Sequence, residues 1–215
     1  MTPESHASPA SPASPASPGP PGVSDVSDAS DASDPAADGG PVTVVVGPMR
    51  RRHLRAVLAI EGQVYPRPWT ASLFLSELAQ RSTRAYFVAR VGREVVGYAG
   101  LMSSFEDAHV TTIAVDPAWH RRGVATRLMV ALAREALVRG GRHLTLEVRM
   151  SNQGAQDLYR RFGFAPVGVR TRYYPETNED ALIMWVHDID APEYARLLEG
   201  LEGRVPGATV YESER

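Results

Sequence analysis

Residues 42–189 read as one α+β domain, a mixed sheet with helices on both faces. Three observations predict it: strand pairs of hairpin type come first, strand–helix–strand successions follow, and the foldable stretch is roughly 150 residues, the usual size of one domain. VTVVV (42–46) opens the sheet, and Pro48 helps start a helix through HLRAVLAIEGQVY. The prolines of YPRPW (65–69) make a turn. Thr70 is placed to cap ASLFLSELAQ, with Leu73, Phe74 and Leu78 on one face. AYFVARV and GREVVGYAGLM are strands joined by a hairpin at 91–94, and HVTTIAVD is the next strand. Val124, Leu128, Ala131 and Leu132 recur at helical spacing, so a helix runs from Gly123 to Arg139 and stops at Gly140–Gly141. LTLEVRM is a strand, NQGAQDLYRRF a helix, and FAPVGVRTRYY and ALIMWVHDI close the sheet. After Pro192 a short helix, EYARLLEGL, is expected to pack loosely, with disorder beyond Gly203.

Composition divides the chain into a tail (1–41), a domain (42–190) and a C-terminal extension (191–215). SPASPASPASP and VSDVSDASDASDPAADGGP offer too little apolar surface to offset their ordering entropy, so the tail is expected to stay disordered. It holds six acids and no Lys or Arg, leaving 23 basic against 19 acidic side chains from residue 42 onward, a formal +4. That balance suits an anionic ligand and is too weak to argue for nucleic acid. No secretory signal and no apolar run long enough to span a membrane is visible. Cysteine is absent, which removes disulfides, thiolate metal sites and a cysteine acyl relay, and fits a cytoplasmic location. No metal is expected.

The most informative stretch is TTIAVDPAWHRRGVATRLM (111–129). A strand, a tight turn and a helix opening on small residues present free N–H groups and a positive dipole end to an anion. Gly123 and Ala125 let the backbone approach that anion without an intervening side chain. The run His120, Arg121, Arg122, Gly123, Val124, Ala125 resembles the acetyl-CoA motif of the GNAT superfamily of N-acetyltransferases: glutamine or arginine, two variable residues, glycine, one variable residue, then glycine or alanine. His120 departs from it at the first position. The resemblance implies the acyl-CoA N-acyltransferase fold, with a sheet splayed between the strands at 110–116 and 143–150. It also implies acetyl-CoA as cosubstrate, held by Arg121, Arg122, Gly123, Val124, Ala125 and Thr126, by the backbone of Ile113, Ala114 and Val115, and by Asn152. Asn152 reads equally as a helix N-cap.

LEVRMSNQGAQDLYRRFGF (146–164) is similar to the RimI-type branch of the superfamily, whose members acetylate the N-terminal alanine of ribosomal proteins. The resemblance implies Glu147 as general base and Tyr159 as general acid. Glu147 alternates onto the polar side of its strand, where a merely solvated carboxylate is the plain alternative. Tyr159 shares an i, i+3, i+4, i+7 stripe with Ala155, Leu158 and Phe162, which also describes a core residue. At pH 7 an α-amine is only about one-seventh neutral, so a base is useful, and burial would have to raise a carboxylate that ordinarily titrates near about 4.3. YPRPWTASLF and TRYYPETNEDALIM match the branch's acceptor-side segments, making Tyr173, Tyr174 and Glu61 candidate contacts to a small-subunit ribosomal protein's N-terminus. A cross-strand aromatic pair and a solvated helix residue are the alternatives for them. An acetyltransferase for lysine or small amines, and a non-catalytic acyl-CoA sensor, remain open at this point.

Overall fold

The computed structural model describes residues 42–213, so the expectation for residues 1–41 lies outside the described residues. Among the described residues there are five α-helices, and eight strands form one mixed sheet in the order β6-β7-β5-β4-β3-β2-β1-β8. β1 (Thr43–Pro48) leads through a 3₁₀ turn to α1 (Leu54–Val64), which Pro66 ends. Thr70 caps α2 (Ala71–Ala79), its Oγ1 accepting from the Leu73 N–H at 3.3 Å. β2 (Arg84–Val91), β3 (Glu94–Ser104) and β4 (Asp107–Val115) form an antiparallel meander. Then come α3 (Val124–Val138), β5 (His143–Arg149), α4 (Gln153–Arg161), β6 (Ala165–Tyr174) and β7 (Glu179–Val186). Gly140 takes the left-handed φ of 82° that ends α3.

Strand alternation puts helices on both faces. Val88, Val95, Tyr98 and Ala114 join the core under α1 and α2, while Ala89, Val96, Ala99 and Ile113 join the one under α3, α4 and α5. Neighbouring residues of one strand thus feed opposite layers.

The feature that positions the site is a parting of strands. β4 and β5 pair in parallel only from Asp107–His109 to His143–Thr145. The β3–β4 register shifts between Gly100↔Thr112 and Leu101↔Val110, which leaves Thr111 as an extra residue on β4. A bulge bends its strand and strengthens the twist, and this one falls two residues past the last β4–β5 pair. Beyond it, β4 stays with β3 while β5 follows β7 along its whole length. The sheet therefore opens between Val110–Val115 and Leu146–Arg149.

The C-terminal extension differs from expectation. α5 (Pro192–Gly203) buries Tyr194, Leu198 and Leu201 in the α3 core, and Ala208–Tyr211 forms β8, parallel to β1. What orders it is the open edge of β1, supplied by the far end of the chain.

Candidate active site

Asp116 caps a 3₁₀ turn (Pro117–Trp119), its Oδ1 accepting from the Ala118 N–H, and the chain enters α3 through left-handed residues Arg121 (φ 57°) and Gly123 (φ 72°). This tight bend opens the helix N-terminus onto a cavity of about 370 Å³. Val115, Arg121, Gly123, Val124, Ala125 and Thr126 all line it. His120 lines it too, with Nε2 within 3.0 Å of the Val115 carbonyl, so the residue that departs from the motif ties the loop back to β4. Arg122 does not line the cavity: its guanidinium lies 5.1 Å above the Trp119 ring. Ile113 and Ala114 are fully buried, their side chains going to opposite cores and only their backbone remaining for a ligand.

Three buried polar atoms on the expected residues lack partners: Asn152 Nδ2, Tyr159 Oη and Tyr174 Oη. Leaving a buried donor unpaired is costly, and none of these three residues lines the cavity at the helix N-terminus. Asn152 caps α4, its Oδ1 accepting from the Ala155 N–H at 3.0 Å, and its Nδ2 has no partner. The small residues at the helix start and the arginines that line the cavity, with no acidic residue among them, fit the phosphates of an acyl-CoA.

Glu147 is buried, and both of its carboxylate oxygens are engaged. His109 Nε2 on β4 lies 3.2 Å from Oε2, and Arg170 Nη2 on β6 lies 3.1 Å from Oε1. Burial lowers the His109 pKa, the Glu147 charge opposes that, and Arg170 and Arg84 add to the lowering. A neutral imidazole is thus held against the carboxylate at neutral pH. Sequence reading missed both partners. His109 stands at the last β4–β5 pair, opposite Thr145 and one alternation from Glu147, a placement that only the strand register supplies.

The Tyr159 ring is fully buried and 5.8 Å from Phe164, as the core reading expects. Its pKa is raised by burial first and then by Tyr65 and Tyr174, which keeps the hydroxyl in its proton-donating form. Tyr65 Oη donates to the Ile113 carbonyl of β4 at 3.1 Å. Tyr173 and Tyr174 meet edge to face at 5.1 Å. Tyr173 is half-buried, with its pKa pushed up to about 12 by burial and by Glu147. Tyr174 is buried, with Arg149 3.8 Å above its ring.

Glu61 requires a correction. It is neither solvated nor open to an acceptor: fully buried, it accepts from the Trp69 N–H at 3.1 Å and from the Tyr98 hydroxyl. Its role is to anchor the Pro–Trp loop. Burial raises its pKa to about 7, against lowering by those two hydrogen bonds. With a folded pKa above the unfolded one, the native state binds the extra proton between pH 4.5 and about 7. That stabilisation is complete below pH 4.5 and lost as pH rises through 7. Urea unfolding at pH 5 and pH 8 should therefore show wild-type stability falling by about 3 kcal/mol more than that of Glu61→Gln. Equal slopes would mean that Glu61 is ionised throughout.

Among the described residues no group of three or more His, Asp or Glu gathers in metal-binding geometry, and no helix is long and apolar enough to cross a membrane.

Residues 54–164 match the family model described as Acetyltransferase (GNAT) family. A Bacillus subtilis protein named putative [ribosomal protein bS18]-alanine N-acetyltransferase is 36% identical over 138 residues, covering 64% of this chain and 91% of that one. N-alpha-acetyltransferase RimI of Mycobacterium tuberculosis is 40% identical over 155 residues, covering 69% of this chain and 94% of that one. The crystal structure of the Escherichia coli ribosomal-protein-S18-alanine N-acetyltransferase superposes with a TM-score of 0.62 at 31% identity, over 67% of this chain and 94% of that one. With its strands parted beside an open helix N-terminus, and with matches of this extent, the chain belongs to the acetyltransferase (GNAT) family.

Proposed function

We propose that this protein acetylates the N-terminal α-amine of a protein, alanine first, with a small-subunit ribosomal protein as acceptor and the cytoplasm as its place of action. The observation that carries the reading is the parting of β4 from β5 with buried Glu147 on the β5 side, held between His109 and Arg170, and it is supported by a buried, unpartnered Tyr159 hydroxyl on α4. The names of the Bacillus and Escherichia relatives support the choice of acceptor.

Acetyl-CoA supplies an activated acetyl thioester, and the overall exchange makes an amide N–C bond and breaks the C–S bond. The helix N-terminus at Gly123–Thr126 holds phosphate through backbone N–H groups. Ile113, Ala114 and Val115 offer their backbone along the gap, and Asn152 Nδ2 a further donor. Glu147, steadied by His109 and Arg170, accepts the proton that the amine must lose, directly or through water. The Tyr159 hydroxyl gives a proton to the departing sulfur. Tyr173 borders the acceptor side, while Glu61 acts at a distance by fixing Trp69.

An α-amine suits one modest base, whereas a lysine amine is roughly 300-fold less often neutral at pH 7. The test compares an Ala-starting peptide, the same peptide with a blocked α-amine and a free lysine, and a small polyamine. The expected result is at least roughly tenfold higher kcat/KM on the free α-amine, in line with that difference in neutral fraction. Preference for the blocked peptide or the polyamine would overturn the acceptor assignment.

A further inference from the structure

The extension after β7 is built into the cradle. Arg127, buried on α3, donates through Nε to Thr209 Oγ1 at 2.8 Å, through Nη2 to the Pro206 carbonyl at 2.6 Å and through Nη1 to the Arg122 carbonyl at 3.0 Å. One side chain thereby joins the motif loop to the C-terminal segment. Arg134 on α3 adds an ion pair to Glu202 at 2.7 Å and lies 4.9 Å above the Tyr211 ring. A Cβ placed on Gly123 would collide with Val205, which shows how closely the segment is drawn over the helix N-terminus.

Leu201, Arg204, Val205 and Pro206 consequently form one wall of the cavity, from a part of the chain outside the family match at 54–164. Arg121, Arg161 and Arg204 line the cavity and no acidic residue does. Arg204 is exposed, and among the described residues it hydrogen-bonds only its own helix, Nε to the Gly200 carbonyl at 2.9 Å. Its two terminal nitrogens are left for an oxyanion, which the planar guanidinium fork is shaped to meet.

We propose that Arg204, together with Arg161, is a second phosphate-binding wall contributed by the C-terminal extension, contacting the phosphorylated nucleotide half of acetyl-CoA opposite the α3 N-terminus. This rests on the cosubstrate reading given above and adds a ligand contact from outside the matched family region. Because the charge meets only phosphate, its loss should distinguish phosphorylated ligands from the pantetheine arm.

The experiment measures binding by calorimetry to full-length wild type, Arg204→Ala and Arg204→Lys. The probes are acetyl-CoA, adenosine 3′,5′-bisphosphate and acetyl-pantetheine, with melting temperature as the folding control. Arg204→Ala should weaken the two phosphorylated probes by roughly five- to tenfold, the scale of one charge-assisted contact near solvent. It should leave acetyl-pantetheine and the melting temperature unchanged, and Arg204→Lys should fall between. Unchanged acetyl-CoA affinity in Arg204→Ala, with wild type binding normally, would overturn the second wall alone. Equal weakening of acetyl-pantetheine would also overturn it, since the residue would then only shape the wall. Failure of wild type to bind acetyl-CoA would remove the cosubstrate reading and this proposal with it.

Discussion

Glu147→Gln is expected to lower kcat by about 100- to 10,000-fold at pH 7, the range of general base catalysis, with little change in acetyl-CoA affinity. The amide keeps the shape between His109 and Arg170 but cannot accept the amine's proton. The loss should shrink toward pH 9, where more of the acceptor is already neutral. Tyr159→Phe carries a sharper signature. Its hydroxyl is buried without a partner, so removing it takes away no hydrogen bond and relieves an unpaired polar group. The variant should melt no lower than wild type while its turnover falls by about 100-fold or more. Stability and activity moving in opposite directions would separate proton donation from packing. Measured turnover over pH 6–9 and thermal melts decide it: near wild-type turnover in both variants would make these residues structural.

Gly123→Leu is expected to weaken acetyl-CoA binding by roughly 100-fold, equivalent to losing one or two hydrogen bonds to charged oxygens. Two causes combine. A left-handed φ of 72° disfavours any side chain, and a Cβ there would strike Val205 and push the C-terminal segment off the cradle. Gly140→Ala is the matched control, because φ is 82° there but the space around its Cβ is open. It should lose stability through the same backbone strain and keep its affinity. Calorimetry on both variants checks this: unchanged affinity in Gly123→Leu would rule out the cradle, and equal losses in both would make the effect one of folding.

Much of this protein was legible without its structure because the relevant physics is local. The capping hydroxyl of Thr70, the N-cap oxygen of Asn152 and the glycine that ends α3 each act within one helical turn. Strand alternation likewise assigns residues to opposite layers from spacing alone. The strand–turn–helix order around Gly123 places small residues and backbone donors at a helix start whatever else the chain does. Those features determined the fold class and the open helix start, whereas Glu147 and Tyr159 came forward through the resemblance of LEVRMSN and LYRRFGF to the RimI-type branch.

Tertiary structure decided what depends on distant partners. Whether Glu61 faces water or Trp69 and Tyr98 depends on how α1 and the Pro–Trp loop pack on β3, which helical periodicity does not encode. The pairing of Glu147 with His109 and Arg170 needs three strands brought together, and the bulge at Thr111 sets where two of them part. β8 is only four residues long, too short to signal itself. It pairs with the edge that β1 leaves open, and buried Arg127 offers two donors that the returning Pro206 carbonyl and Thr209 hydroxyl satisfy, its third going to the Arg122 carbonyl. Burying a guanidinium is costly unless its hydrogen bonds are completed, and here the far end of the chain supplies two of the three acceptors.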